Sequence, residues 1–130
     1  MITTASEHQV DKVEQMAGGK GHVIIEHLLG EKELDGKCGL YAKVTIEPNC
    51  TLGFHEHHGE TETYYILSGK GLYNDNGTEV EIGAGDVTYC APGEGHGLKC
   101  LGDEYLDGPC RGKATASPDL RLLPNQAVYG

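Results

Sequence analysis

The chain has 130 residues, a formal net charge of −10, twenty glycines and five cysteines. That length suits one domain with a real core, and the acidity argues against nucleic acid or an anionic membrane as a partner, because both attract basic surfaces. The cysteines form no CxxC pair and are odd in number, so free thiols in a reducing cytosol are expected rather than a disulfide scaffold or a zinc ribbon.

The opening stretch MITTASEHQVDKVEQ shows no basic-then-apolar signal, which points to a cytoplasmic location. No apolar run approaches membrane-spanning length. Residues 1–20 read as a short N-terminal arm with one helical segment expected, Val10 to Met16, ended by Gly18-Gly19. From His22 the texture changes. HVIIEHLL reads as a strand and CGLYAKVTIEP as a second, with alternating faces and a stop at Pro48. Short runs rich in β-formers follow: TLGFHEH, ETYYILS, GLYN, TEVEI, DVTYC and HGLKC. Turn signals separate them, among them His58-Gly59, Asp75-Asn76-Gly77, Gly83-Ala84-Gly85-Asp86 and Ala91-Pro92-Gly93. Six to nine closely spaced strands with no helices between them predict an all-β sandwich or barrel. After Asp103 the rhythm fails, and 108–130 reads as an irregular tail.

The segment from His55 to Thr63 holds three of the seven histidines and three glutamates. His55 and His57 stand at i and i+2, so on a strand both rings project from one face, about 7 Å apart along it. That is close enough for two rings to share one ion held at about 2.1 Å. His58 points to the opposite face. Glu62 follows a turn, opens the next apolar strand and can return to the same interior with an oxygen donor. His96, just after Pro92-Gly93, is the one histidine further downstream and can supply the fourth donor. The competing reading is a solvated acidic loop that binds metal only adventitiously.

These residues carry a resemblance. The pattern H-x-H-x4-E-x6-G is met by His55, His57, Glu62 and Gly69, and it resembles the first signature of the cupin superfamily. The second signature, G-x5-P-x-G-x2-H-x3-N, is met in part by Gly85, Gly93 and His96. Asn49 stands where the first signature starts with glycine, Ala91 where the second has proline, and Cys100 where it ends with asparagine. The resemblance implies a cupin-type double-stranded β-helix, a jelly-roll barrel, over residues 21–107. It also implies that His55, His57, Glu62 and His96 hold one divalent transition metal. Because such barrels end on a long alternating strand, the irregular tail implies a barrel open on one side, or closed by the arm or a partner subunit. A homodimer through the strand His22 to Leu29 is expected on that ground.

Three neutral imidazoles and one carboxylate around a divalent ion leave a net charge near +1, with room for a small ligand. Nitrogen and oxygen donors suit Mn, Fe, Co, Ni or Zn alike. A small molecule with adjacent oxygens, such as a hydroxy or keto acid or a sugar, is the expected partner. Relatives that resemble this chain include dioxygenases, decarboxylases, isomerases and lyases, so the fold does not choose among them. An enzyme and a non-catalytic ligand-binding protein both remain open. Tyr64 shares the face of Glu62 and is the candidate for catalysis or substrate binding, with plain packing as its alternative. Tyr65 has the opposite parity, Tyr73 and Tyr89 are candidates for a pocket rim, and Lys43 is read as facing outward.

Overall fold

The structure is a computed structural model that describes residues 1–102 and the backbone of residues 106–114. Ten strands run in chain order: β1 (Gln9–Glu14), β2 (His22–His27), β3 (Cys38–Ile46), β4 (Thr51–Glu56), β5 (Thr61–Tyr65), β6 (Lys70–Asp75), β7 (Thr78–Gly83), β8 (Val87–Cys90), β9 (Gly95–Leu101) and β10 (Leu106–Ala114). They form two sheets, ordered β1-β2-β3-β10-β5-β8 and β4-β9-β6-β7. Every pairing is antiparallel. The inner faces of the sheets enclose the core in the jelly-roll manner. The only α-helix among the described residues is a single turn, Glu31–Leu34.

The alternation in CGLYAKVTI sets the first layer. Ala42, Val44 and Ile46 are buried, whereas Lys43 lies on the other face, opposite Glu26 of β2 in register. Val23 and Ile25 of β2 join the same core, and Leu52, Ile66, Tyr73, Leu98 and Cys100 close it from the other elements. Burial of these side chains, at roughly 1.5–3 kcal/mol for each large one, drives the two layers together.

The segment Val10 to Met16 is not helical. Residues 9–14 form β1, in register with β2 from Gln9↔His27 to Glu14↔His22. Val10, Val13 and Met16 at three-residue spacing mimic a helical stripe, but Val13 packs on the core as a strand residue would. Gln15 and Ala17 have positive φ angles of 49° and 53°, a conformation that no right-handed helix can pass through. Asp11 is fixed across the pair by His27, at 2.9 Å. Gln9 and His27 hydrogen-bond the Asp11 carboxylate and hold it below the usual aspartate value.

The start of the expected irregular tail is also corrected. Residues 106–114 form β10, which inserts between β3 and β5 and fills the side of the barrel that the sequence reading left open. The reason it was hidden is local. In LDGPCRGKA the register with β3 shifts between Gly108 and Arg111, so the irregularity spans Pro109, which cannot donate to a ladder and is tolerated at bulges. Residues 115–130 of the expected tail lie outside the described residues.

β2 lies between β1 and β3, so both of its edges are taken within the chain. Strand addition by a second copy at His22–Leu29 is therefore blocked, and a homodimer formed that way would use one of the terminal strands β1, β4, β7 or β8. No helix among the described residues is long and apolar enough to cross a membrane.

Candidate metal centre

Four of the expected site residues converge. His55 is the next-to-last residue of β4, His57 lies just beyond it, Glu62 is on β5 and His96 is on β9. His55 and His96 are directly opposite in the β4–β9 ladder. Between Leu52 and His55 that ladder carries a bulge, with Gly53 and Phe54 set against the single residue Gly97. The bulge decides which way His55 faces. Leu52 is in the core, and three steps along a regular strand would point residue 55 outward; the extra residue restores it to the inner face. The ladder also continues past its last strand residue: the His57 amide donates to the Glu94 carbonyl at 3.0 Å, and the Gly93 amide donates to the His57 carbonyl at 2.6 Å. Gly93 makes this return with a φ of +86°. Asn49, which replaces the expected signature glycine, adopts a φ of +67°; asparagine is among the few side chains that tolerate it.

The donor atoms are tightly grouped, all within 4.8 Å of one another. His57 Nε2 is 3.0 Å from both His96 Nε2 and Glu62 Oε1, His96 Nε2 is 2.8 Å from that oxygen, and His55 Nε2 is 3.5 Å from it. Two donors held about 2.1 Å from one ion at a right angle stand about 3.0 Å apart. His57, Glu62 and His96 have that spacing.

Hydrogen bonding alone does not account for the cluster. Three imidazole nitrogens and the Tyr64 hydroxyl, at 3.0 Å, all converge on Glu62 Oε1, and one carboxylate oxygen has about two lone pairs to give. The His55 ring sharpens the point. Its Nδ1 lies 2.9 Å from the Gly53 carbonyl, which can only accept, so Nδ1 carries the proton. Nε2 is then the ring atom left to meet a cation, and it faces Glu62 Oε1 at 3.5 Å. A cation at the point where the four donors meet would satisfy all of them at once, and the donor set fits one.

Burial shapes the rest. His57, Glu62 and His96 are 4%, 0% and 0% exposed, while the His55 side chain is 24% exposed, so solvent reaches the cluster past His55. Burial is the main cause that holds His96 below the ordinary imidazole value, against the opposing pull of Glu62. The ring is therefore held in its neutral, ligating form. Cys90, opposite Glu62 in the β5–β8 ladder, has its thiol pushed up to about 11, by burial first and by the Glu62 charge next. It stays a thiol, as expected for a buried small side chain.

Tyr64 faces the cluster as its parity with Glu62 required, and its ring stacks on His96 at 4.9 Å and 17°. His58 is exposed, 3.6 Å from Glu56, and takes no part. Tyr89 is 53% exposed. Tyr73, the other candidate for a pocket rim, is buried, and its hydroxyl lies 2.8 Å from His96 Nδ1. That contact crosses the β6–β9 pair, in which Tyr73 is opposite Leu98 and Asp75 is opposite His96. The Gly53 carbonyl is the other partner that the sequence reading missed, because a backbone group at a bulge leaves no residue-type signal.

A jelly-roll barrel with an inward His/His/Glu/His group defines a small metal-binding protein of the cupin type. The comparisons agree: residues 42–107 match the family described as "Cupin domain", and the chain belongs to that family. It is 39% identical over 107 residues to an oxalate-binding protein of Thermotoga maritima, covering 82% of this chain and 88% of the relative. It also resembles the crystal structure of a predicted oxalate decarboxylase from Thermotoga maritima, with a TM-score of 0.83 and 36% identity over 88% of this chain and 99% of that one. A cupin-like protein of the same organism shares the fold at 22% identity and a TM-score of 0.64, covering 85% of this chain and 81% of its own.

Proposed function

We propose that the protein holds one divalent transition metal, one of Mn, Fe, Co, Ni or Zn, on His55, His57, Glu62 and His96. On it the protein takes a small oxygenated anion, of which a dicarboxylate of the oxalate class is the leading case. The observation that carries the reading is the convergence of the four donor atoms within 4.8 Å of one another, with three imidazole nitrogens and a phenol crowded on one Glu62 oxygen. When bound, such an ion supplies Lewis-acid polarisation to a ligand oxygen.

The chain's own residues do the rest. Glu62 offsets one unit of the cation's charge, leaving about +1 with three neutral imidazoles, which favours an anionic ligand. Burial of His57, Glu62 and His96 keeps bulk water from those donors, and the partly exposed His55 marks the approach. Tyr64, stacked on His96 and donating to Glu62 Oε1, is placed to turn its hydroxyl to a bound anion, as a hydrogen-bond donor or a proton source. The chain has 39% identity to a protein described as oxalate-binding, which supports capture of a dicarboxylate; conversion of that ligand is the second reading, supported by the position of Tyr64.

Titration calorimetry separates these outcomes. Metal-loaded protein is expected to bind oxalate at least about tenfold more tightly than acetate, and metal-free protein to bind neither. Equal affinity for the two acids, or oxalate binding that survives removal of the metal, would overturn the proposal. Release of carbon dioxide from oxalate, reduced in Tyr64→Phe, would decide for catalysis over capture.

A further inference from the structure

Two of the three imidazoles have their outer nitrogen held by a neighbour, and the two neighbours differ in kind. His55 Nδ1 is held by the Gly53 carbonyl, a backbone group. His96 Nδ1 is held by a side chain, the hydroxyl of Tyr73 at 2.8 Å. His96 is fully buried, so water does not compete for that nitrogen. The ring is confined on two further sides, by the Tyr64 ring stacked at 4.9 Å and by the Tyr73 ring edge-on at 5.6 Å and 89°.

We propose that Tyr73 is the positioning residue for His96, its hydroxyl oxygen accepting the Nδ1 proton and so turning the Nε2 lone pair onto the metal point. This rests on the metal reading above and names the residue that tunes it. Thr88 is a further hydrogen-bonding neighbour of the Tyr73 hydroxyl. Tyr73 reaches His96 along the diagonal of the β6–β9 pair, a separation that long aromatic side chains span. A phenol hydroxyl both donates and accepts, so it can satisfy Nδ1 in the free cluster and in the loaded one without moving the ring. A carboxylate at this position would add a second negative charge beside Glu62; the phenol fixes the ring without altering the charge of the centre. Outer partners of metal-bound histidines typically contribute 10–100-fold in metal affinity.

The test compares wild type with Tyr73→Phe, which keeps the ring and removes one oxygen. Zinc dissociation constants are measured by competition with a chelator, well below the unfolding temperature, so that lost stability does not register as lost affinity. The expected result is affinity weaker by about 10–100-fold in a variant whose backbone spectrum is native. In the zinc-loaded protein, nitrogen-15 spectra of the rings should show a protected His96 Nδ1 proton that is lost or exchanges rapidly in Tyr73→Phe. The His55 Nδ1 proton, held by Gly53, should be unchanged in both. Tyr64→Phe serves as a second comparison, because it removes an equally buried hydroxyl without touching Nδ1, and should leave the His96 proton protected. Zinc affinity within twofold of wild type in Tyr73→Phe, or an unaltered His96 proton, would overturn the assignment. Failure of the wild type itself to bind zinc would instead remove the metal reading on which the assignment rests.

Discussion

His96→Ala and Glu62→Gln are each expected to reduce metal affinity by well over the about 100-fold that loss of an outer partner produces, and to abolish the rise in melting temperature on adding metal. The expectation follows from where the two groups sit. His96 supplies the nitrogen nearest to Glu62 Oε1, at 2.8 Å, and Glu62 supplies the only charge among the four donors. Glu62→Gln is nearly isosteric, so a ligand role for the side chain predicts little effect on packing and a large one on the cation. Binding to the native state alone stabilises by about 2.7 kcal/mol at a metal concentration 100 times the dissociation constant, and both variants should lose that increment. Metal analysis after dialysis, with melting curves with and without added metal, checks the prediction. A cluster that served only as a buried hydrogen-bonded core would instead show metal-independent melting in the wild type.

The second large effect is expected from a residue with no side chain. Gly53→Ala should destabilise the fold by about 3 kcal/mol or more, at or beyond the upper range for overpacking, and should weaken metal binding as well. A Cβ on Gly53 would meet the Ala17 carbonyl oxygen at 2.2 Å and the Gly19 amide nitrogen at 2.7 Å, and one on Gly19 would meet the Thr51 carbonyl oxygen at 2.0 Å. All these atoms are backbone, so no rotamer change relieves the clash. Displacing residue 53 also displaces the carbonyl that holds the His55 ring. Urea unfolding should show a lower midpoint with an unchanged slope. Gly19→Ala combined with Gly53→Ala should cost less than the sum of the two, because both disturb one contact. Gly83→Ala, whose Cβ would come no nearer than 3.6 Å to the Gly69 carbonyl, is the neutral comparison.

How far the sequence could carry these conclusions depended on the range of the interaction being read. The strand at residues 38–46 was legible because its pattern is local: Ala42, Val44 and Ile46 alternate with residues of the other face, and the alternation is itself the burial pattern. The His55, His57 and Glu62 donors were legible for the same reason, since i and i+2 on one strand and the start of the next are near neighbours in the chain. Val10 to Met16 misled because a three-residue apolar spacing carries both helical and extended readings, and pairing with β2, settled by contacts some ten residues away, chose the second. β10 was hidden by Pro109, whose place at a register shift becomes visible only when β3 is set beside it. Tyr73 shows the limit most plainly. Its role depends on β6 lying beside β9, a pairing between segments more than twenty residues apart, and no pattern within GLYN announces it.

The central claim is that His55, His57, Glu62 and His96 share a single cation. Crystals grown from metal-loaded protein, with diffraction recorded on both sides of that metal's absorption edge, test it most directly. The account predicts one anomalous peak inside the barrel, about 2.0–2.3 Å from Nε2 of the three histidines and from a Glu62 oxygen. A loaded crystal with no peak there, or with its peak at the outer histidines His8 and His27 instead, would contradict it.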